Sequence, residues 1–194
     1  MVTQIDTQRT YTPEEYLELE TQASDRHEYR EGEIIPMAGG TLNHTRIAGN
    51  CFLALSLALK GKGYEVLTSD QRLLIPEPDH FTYPDVCVVS GKPQLMENRN
   101  DTITNPTLIV EVLSQSTANY DRGDKFLAYR AIATFREYLL IDQSQIYIEQ
   151  YVKQDAHHWL LTIHSDRSAP ITLVSVPARM AIADLYDRVE LTDQ

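Results

Sequence analysis

The chain is poor in cysteine, tryptophan and positive charge, and it has no long apolar run. Two cysteines, Cys51 and Cys87, stand apart in core-like contexts, so they supply neither a disulfide framework nor a zinc site, and they point to a reducing cytoplasm. No apolar stretch approaches the roughly 20 residues that a bilayer span needs, so no membrane partner is expected. The opening Met1-Val2-Thr3-Gln4-Ile5-Asp6 lacks a basic segment followed by an apolar one, so no secretory signal is expected. A single tryptophan offers no set of sugar platforms, which ranks a glycosidase built on paired carboxylates low. Lys and Arg number 17 against 28 Asp and Glu, a net charge of −11. Phosphate contacts come mainly from Lys and Arg, so nucleic-acid binding would need a local basic patch or the charge of a bound cation. Walker-type loops, dinucleotide glycine fingerprints and nucleophile elbows are absent from the sequence. His157, His158 and His164 lack metal-ligand spacing and read as surface strand residues.

What is present is an ordinary globular chain of 194 residues, 42% hydrophobic and 23% charged, long enough for a well-formed core. We expect a flexible segment at 1–10 and one domain over 11–190. Thr12, Pro13 and Glu15 form a capping-box helix start. Glu31-Gly32 divides two extended segments into a hairpin. Gly39-Gly40 breaks the chain, and Thr41 or Asn43 caps a long helix to about residue 60. Ile47, Ala48, Cys51, Phe52, Leu55, Ala58 and Leu59 fall at helical spacing on it, with Leu53 and Leu57 widening the stripe, so the helix reads as largely buried. Strand-like runs follow at 64–68, 71–75, 85–89 and 107–113, then a helix at 117–132. Further strands are expected at 137–142, 146–152, 158–163 and 171–174, with a short helix at 182–189. The loop 91–106 is polar. Glu137 and Asp142 cap the ends of their strand. This order predicts a mixed α/β fold, one sheet with helices on its faces.

Two acids lie in apolar strand-like runs, Asp85 in Tyr83-Pro84-Asp85-Val86-Cys87-Val88-Val89 and Glu111 in Leu108-Ile109-Val110-Glu111-Val112-Leu113. Burying such an acid is costly unless it is paired or bound to a metal. Magnesium takes oxygen ligands, commonly one or two carboxylates. Asp85, Glu111 and the backbone carbonyl of Val112 would hold Mg²⁺ or Mn²⁺, and Lys125 on the next helix would orient water or offset developing charge. Blander readings stand beside these. Asp85 also reads as a strand-opening surface acid. Arg130 could pair structurally with Glu111, and Lys125 reads as a solvated lysine paired with Asp121. Glu28 reads as exposed, and His44 as a core or capping histidine or as an acid–base group near the metal.

The sequence also resembles a known family. The segments Tyr83-Pro84-Asp85-Val86, Ile109-Val110-Glu111-Val112-Leu113-Ser114, Tyr120-Asp121-Arg122-Gly123-Asp124-Lys125 with Tyr129, and Arg136-Glu137-Tyr138-Leu139-Leu140-Ile141-Asp142 carry the resemblance. Tyr11-Thr12-Pro13-Glu14-Glu15-Tyr16, His27-Glu28-Tyr29, Gly32-Glu33-Ile34 and Asn43-His44 extend it. In order and spacing these resemble the Uma-type restriction-endonuclease-like family of bacteria, within the PD-(D/E)XK nuclease superfamily. The resemblance implies a restriction-endonuclease-like core, a central mixed sheet flanked by helices. It implies Asp85 and Glu111 as metal ligands and Lys125 as the lysine that replaces the one usually found at the position of Leu113. It brings Glu28 and His44 to the same pocket. Gln115 stands where the family commonly has proline and Leu139 where it often has tryptophan. The function implied is a metal-dependent DNA endonuclease, with a homodimer compatible with it. The alternative is a catalytically silent binding or assembly protein on the same scaffold.

Overall fold

The computed structural model describes residues 9–76 and 79–191. The expected flexible segment 1–10 lies outside the described residues up to residue 8; Arg9 and Thr10 are exposed. Helix α1 (Pro13–Gln22) opens with a complete capping box, in which the Thr12 hydroxyl accepts from the Glu15 N–H and the Glu15 carboxylate accepts from the Thr12 N–H. Such a cap contributes about 1 kcal/mol. Strands β1 (His27–Arg30) and β2 (Glu33–Pro36) form the expected hairpin. Glu31 and Gly32 take φ 49° and 94°, the left-handed pair that a two-residue turn requires. Helix α2 (Leu42–Leu59) is capped by Thr41, whose hydroxyl accepts from the His44 N–H.

Strands β3 (Tyr64–Thr68), β4 (Arg72–Ile75), β5 (His80–Thr82), β6 (Val86–Ser90), β7 (Thr102–Ile103) and β8 (Pro106–Leu113) follow. Helices α3 (Ala118–Arg122) and α4 (Asp124–Tyr129) replace the single helix expected over 117–132. The break is at Gly123, whose ψ of −101° is not helical and where a Cβ would lie 3.1 Å from the Asn119 carbonyl oxygen. The chain ends in β9 (Glu137–Asp142), β10 (Ile148–Lys153), β11 (Trp159–His164), β12 (Pro170–Thr172), β13 (Arg179–Ala181) and α5 (Ile182–Leu185). The short strands β5, β7 and β13 have no counterpart in the sequence reading, and α5 stops short of residue 189.

The expected central mixed sheet has six strands in the order β11-β10-β9-β8-β6-β3, with β8 and β9 parallel and the other pairs antiparallel. All eight residues of β8 are buried, as befits a strand covered on both faces. One face packs on α2, α5 and the β12-β13 ribbon through residues such as Ile47, Leu55, Val110, Ile171 and Tyr186. The other packs on α4 and the turn after it through Tyr129, Ile132, Phe135 and Tyr138. One sheet is not the whole architecture. A second, five-stranded sheet in the order β2-β1-β5-β4-β7 carries α1, with Tyr16 stacked on Tyr29 at 5.2 Å. It exists because β5 pairs with both β1 and β4.

Helix α2 is less buried than expected. Ile47, Cys51, Leu55 and Leu59 form the buried stripe, whereas Leu53 and Leu57 are 56% and 68% exposed. Both cysteines are buried and free, and burial pushes each thiol up to about 12, which makes them core residues rather than nucleophiles. Among the described residues no helix is long and apolar enough to cross a membrane.

Candidate active site

The carbon skeleton of β8 carries Glu111 toward the α4 side of the sheet, where its carboxylate is buried. One oxygen accepts a 2.7 Å hydrogen bond from the Tyr129 hydroxyl and lies 2.9 Å from Lys125 Nζ. The other lies 3.4 Å from the backbone N–H of Asp85. Asp85, one residue before β6, accepts a 2.8 Å hydrogen bond from the Val112 N–H, and its carboxylate is 3.2 Å from His44 Nε2. The two acids therefore converge where β6 begins and β8 nears its end. Arg130, weighed as a structural partner for Glu111, instead stacks on Phe126 at 5.4 Å.

Two of the blander readings are overturned. Lys125 is buried rather than solvated, and it pairs with three acids: Glu111 at 2.9 Å, Glu28 at 3.4 Å and Asp121 at 3.6 Å. Glu28 is buried rather than exposed, and it also accepts from the Thr82 hydroxyl. The expected Lys125–Asp121 pair forms as well, so the lysine serves both partners. Sequence reasoning missed His80 and Tyr120, which meet 3.3 Å apart beside Glu28, and the supporting Thr82. His80 and Thr82 lie on the unpredicted three-residue β5, which carries no periodicity to detect.

The electrostatics follow from crowding. Burial and the nearby Asp85 and Asp121 raise the Glu111 carboxyl above its ordinary range, with Lys125 opposing. Burial disfavours the Lys125 ammonium, yet Glu111, Glu28 and Asp121 outweigh it, and its pKa sits well above the usual lysine value. Burial likewise works against the Glu28 charge, but Lys125 and Thr82 hold its carboxyl below the usual range. His44 loses solvation too, and the hydrogen bond and charge of Asp85 nonetheless raise it.

Asp85 and His44 line an open cleft of ≈ 520 Å³ whose other walls include Arg26, Gly40, Phe52 and Ser69. Arg26 is the cationic side chain of that wall, and it is held by Asp70. No group of three or more His, Cys, Asp or Glu side chains among the described residues is arranged to hold a metal. Two carboxylates and one carbonyl are a different donor set, and it is all oxygen. In an extended strand the N–H and C=O of one residue share an edge, so the Val112 carbonyl faces the same edge as the Val112 N–H that Asp85 accepts. These donors suit magnesium or manganese, not zinc.

Glu137, expected to cap a strand end, is fully buried and accepts from the N–H groups of Val174 and Ser175 and from Gln150. Asp142 caps the turn after its strand by accepting from Ser144 and Gln145.

Comparisons with known proteins agree with this architecture. The family described as "Uma2: Putative restriction endonuclease" matches residues 13–183. Two uncharacterized proteins of Synechocystis sp. strain PCC 6803 are similar. One, sll1609, is 43% identical over 81% of this chain and 89% of its own length. The other, slr1290, is 35% identical over 90% of each. The crystal structure of "a putative nuclease belonging to DUF820" from Anabaena variabilis ATCC 29413 superposes with a TM-score of 0.73, covering 91% of this chain and 98% of that one at 21% identity. That likeness gives the fold, a restriction-endonuclease-like core. With the family match spanning most of its length, the chain belongs to the Uma2 family of restriction-endonuclease-like proteins.

Proposed function

We propose that residues 11–190 form a divalent-metal-dependent endonuclease that hydrolyses DNA phosphodiester bonds. The observation that carries this reading is that the Glu111 carboxylate lies between Lys125 and Asp85, and Asp85 lines an open cleft. Asp85, Glu111 and the Val112 carbonyl would hold Mg²⁺ or Mn²⁺. When bound, the ion lowers the pKa of a coordinated water and polarises the phosphoryl oxygen. Lys125, kept protonated by three acids, offsets the charge that develops on the phosphate. Tyr129 and Asp121 hold Glu111 and Lys125 in position, and Glu28 gives the ammonium a second anchor. His44, beside Asp85 on the cleft wall, is our candidate for the group that protonates the leaving oxygen. The acidic chain binds DNA by this reading as a homodimer in the cytoplasm, with the metal offsetting local negative charge.

Incubation of the purified protein with supercoiled plasmid and Mn²⁺ tests the proposal. Nicking above an Asp85→Ala control is expected, and equal behaviour of the two proteins would sink it.

A second reading has its own support. A lysine has three donors, and here three carboxylates of the chain surround Lys125. A catalytically silent binding or assembly protein could keep such a closed cluster for stability alone. It predicts no Mn²⁺ binding by calorimetry; binding abolished by Glu111→Ala rules against it.

A further inference from the structure

Strand β11 is the outer strand of the six-stranded sheet, and it is apolar where outer strands are usually guarded. Its residues Trp159 to Ile163 carry no charge, and Leu160, Leu161 and Ile163 are 54%, 45% and 43% exposed. Natural sheets protect such edges with lysine, proline, bulges or shortness. Among the described residues the other edges show these devices: Glu65 on β3, Glu33 and Pro36 on β2, and a length of two residues for β7. The pairing of β11 with β10 runs in unbroken register from Trp159 to His164, with no bulge.

The direction of each backbone group in β11 follows from two hydrogen bonds. The Lys153 N–H donates to the Arg136 carbonyl on the β9 side, and the Gln154 N–H donates to the His158 carbonyl across the hairpin. By alternation, Leu160, Thr162 and His164 bond to β10. The N–H and C=O groups of Trp159, Leu161 and Ile163 therefore point away from the sheet. Among the described residues no backbone partner meets them.

We infer that β11 is the surface through which two copies of this chain associate, its free edge pairing antiparallel with the same edge of a second copy about a two-fold axis at Leu161. The occupant follows from complementarity. Only residues whose backbone groups face outward can pair, so the axis opposes Leu161 with Leu161 and Trp159 with Ile163 of the second copy. These are apolar pairs, one of them aromatic with β-branched, the kind that stabilises a sheet. On the opposite face Leu160 meets Thr162. Trp159 to Ile163 carry no charge, so this antiparallel register opposes no like charges. An isologous contact of this kind closes as a dimer and leaves no repeating edge. It joins the two six-stranded sheets into one.

The inference rests on the homodimer reading above and names its surface. Sedimentation of the full chain, wild type beside Leu161→Lys and Leu161→Pro, tests it. Leu161→Pro is informative because the N–H it removes is not used by β10, so the chain's own ladder survives; circular dichroism checks that both variants fold. Wild type is expected at twice the 22.1 kDa chain mass and both variants at 22.1 kDa. Leu161→Cys, with the two native cysteines buried, is expected to oxidise to a covalent dimer, since paired residues lie about 5.5 Å apart, within disulfide reach. Leu160→Cys should not cross-link. A wild-type monomer overturns both the surface and the homodimer. A dimer that survives both substitutions, with no cross-link at position 161, overturns the surface alone.

Discussion

Lys125 and Tyr129, one helical turn apart on α4, both reach the same carboxylate oxygen of Glu111, at 2.9 and 2.7 Å. The oxygen left over faces Asp85. One half of the carboxylate is thus held by the fold and the other turned toward the cleft acid. That division separates what the residue does for stability from what it is proposed to do for chemistry.

Replacing the lysine should damage both. Lys125→Met leaves Glu111, Glu28 and Asp121 buried without a cation, and breaking a buried pair from one side costs about 3–5 kcal/mol. A fall of that size in urea-unfolding stability at neutral pH is expected, together with loss of nicking. A midpoint within experimental error of wild type would show that the cluster is solvated and contradict its burial.

Replacing the acid should separate the two effects. Glu111→Gln keeps an oxygen for Tyr129 and removes one of the four acids of the cluster, Glu28, Asp85, Glu111 and Asp121. Stability is expected to stay within about 1 kcal/mol of wild type or to rise. Mn²⁺ binding, read by calorimetry, is expected to vanish.

A bound ion should stabilise the fold by mass action. At one hundred times its dissociation constant Mn²⁺ adds about 2.7 kcal/mol, which raises the melting temperature by roughly 5–10 °C for a chain of this size. Asp85→Asn should abolish the rise. An equal rise in both proteins would place the ion elsewhere.

His80 sets a pH dependence away from the proposed ligands. Burial lowers its pKa from 6.5 to about 4, with Glu28 opposing and Lys125 and Arg30 reinforcing, and Tyr120 contacting its Nε2. Between those two values the unfolded chain binds the proton and the folded one does not. Stability from this group is therefore complete above about pH 6.5 and declines as pH falls toward 4, by up to ~3 kcal/mol. Urea titrations across that range should flatten in His80→Gln.

How much of this could be read from the residues depended on the range of the interactions. The capping box at Thr12, the Glu31-Gly32 turn and the Thr41 cap are decided within a few positions, and all form. Glu111 was conspicuous because an acid interrupts an apolar strand. Lys125 was not, since one of the acids that meet it, Glu28, comes from far earlier in the chain, on the other sheet. Leu53 and Leu57 misled for a related reason: they match the helical period, yet among the described residues no element covers that side of α2. The run 117–132 read as one helix, whereas the non-helical ψ of Gly123 divides it into two.

The parallel pairing of β8 with β9 needs a crossover, and α3 and α4 are that crossover. The segment that must wrap back before β9 can dock is therefore the one that delivers Lys125 to Glu111. Until that segment has wrapped back, Glu111 lacks the ammonium of Lys125 and the hydroxyl of Tyr129. A chain in which this segment has not docked therefore lacks both the Lys125–Glu111 pair and the cover under which β9 lies beside β8.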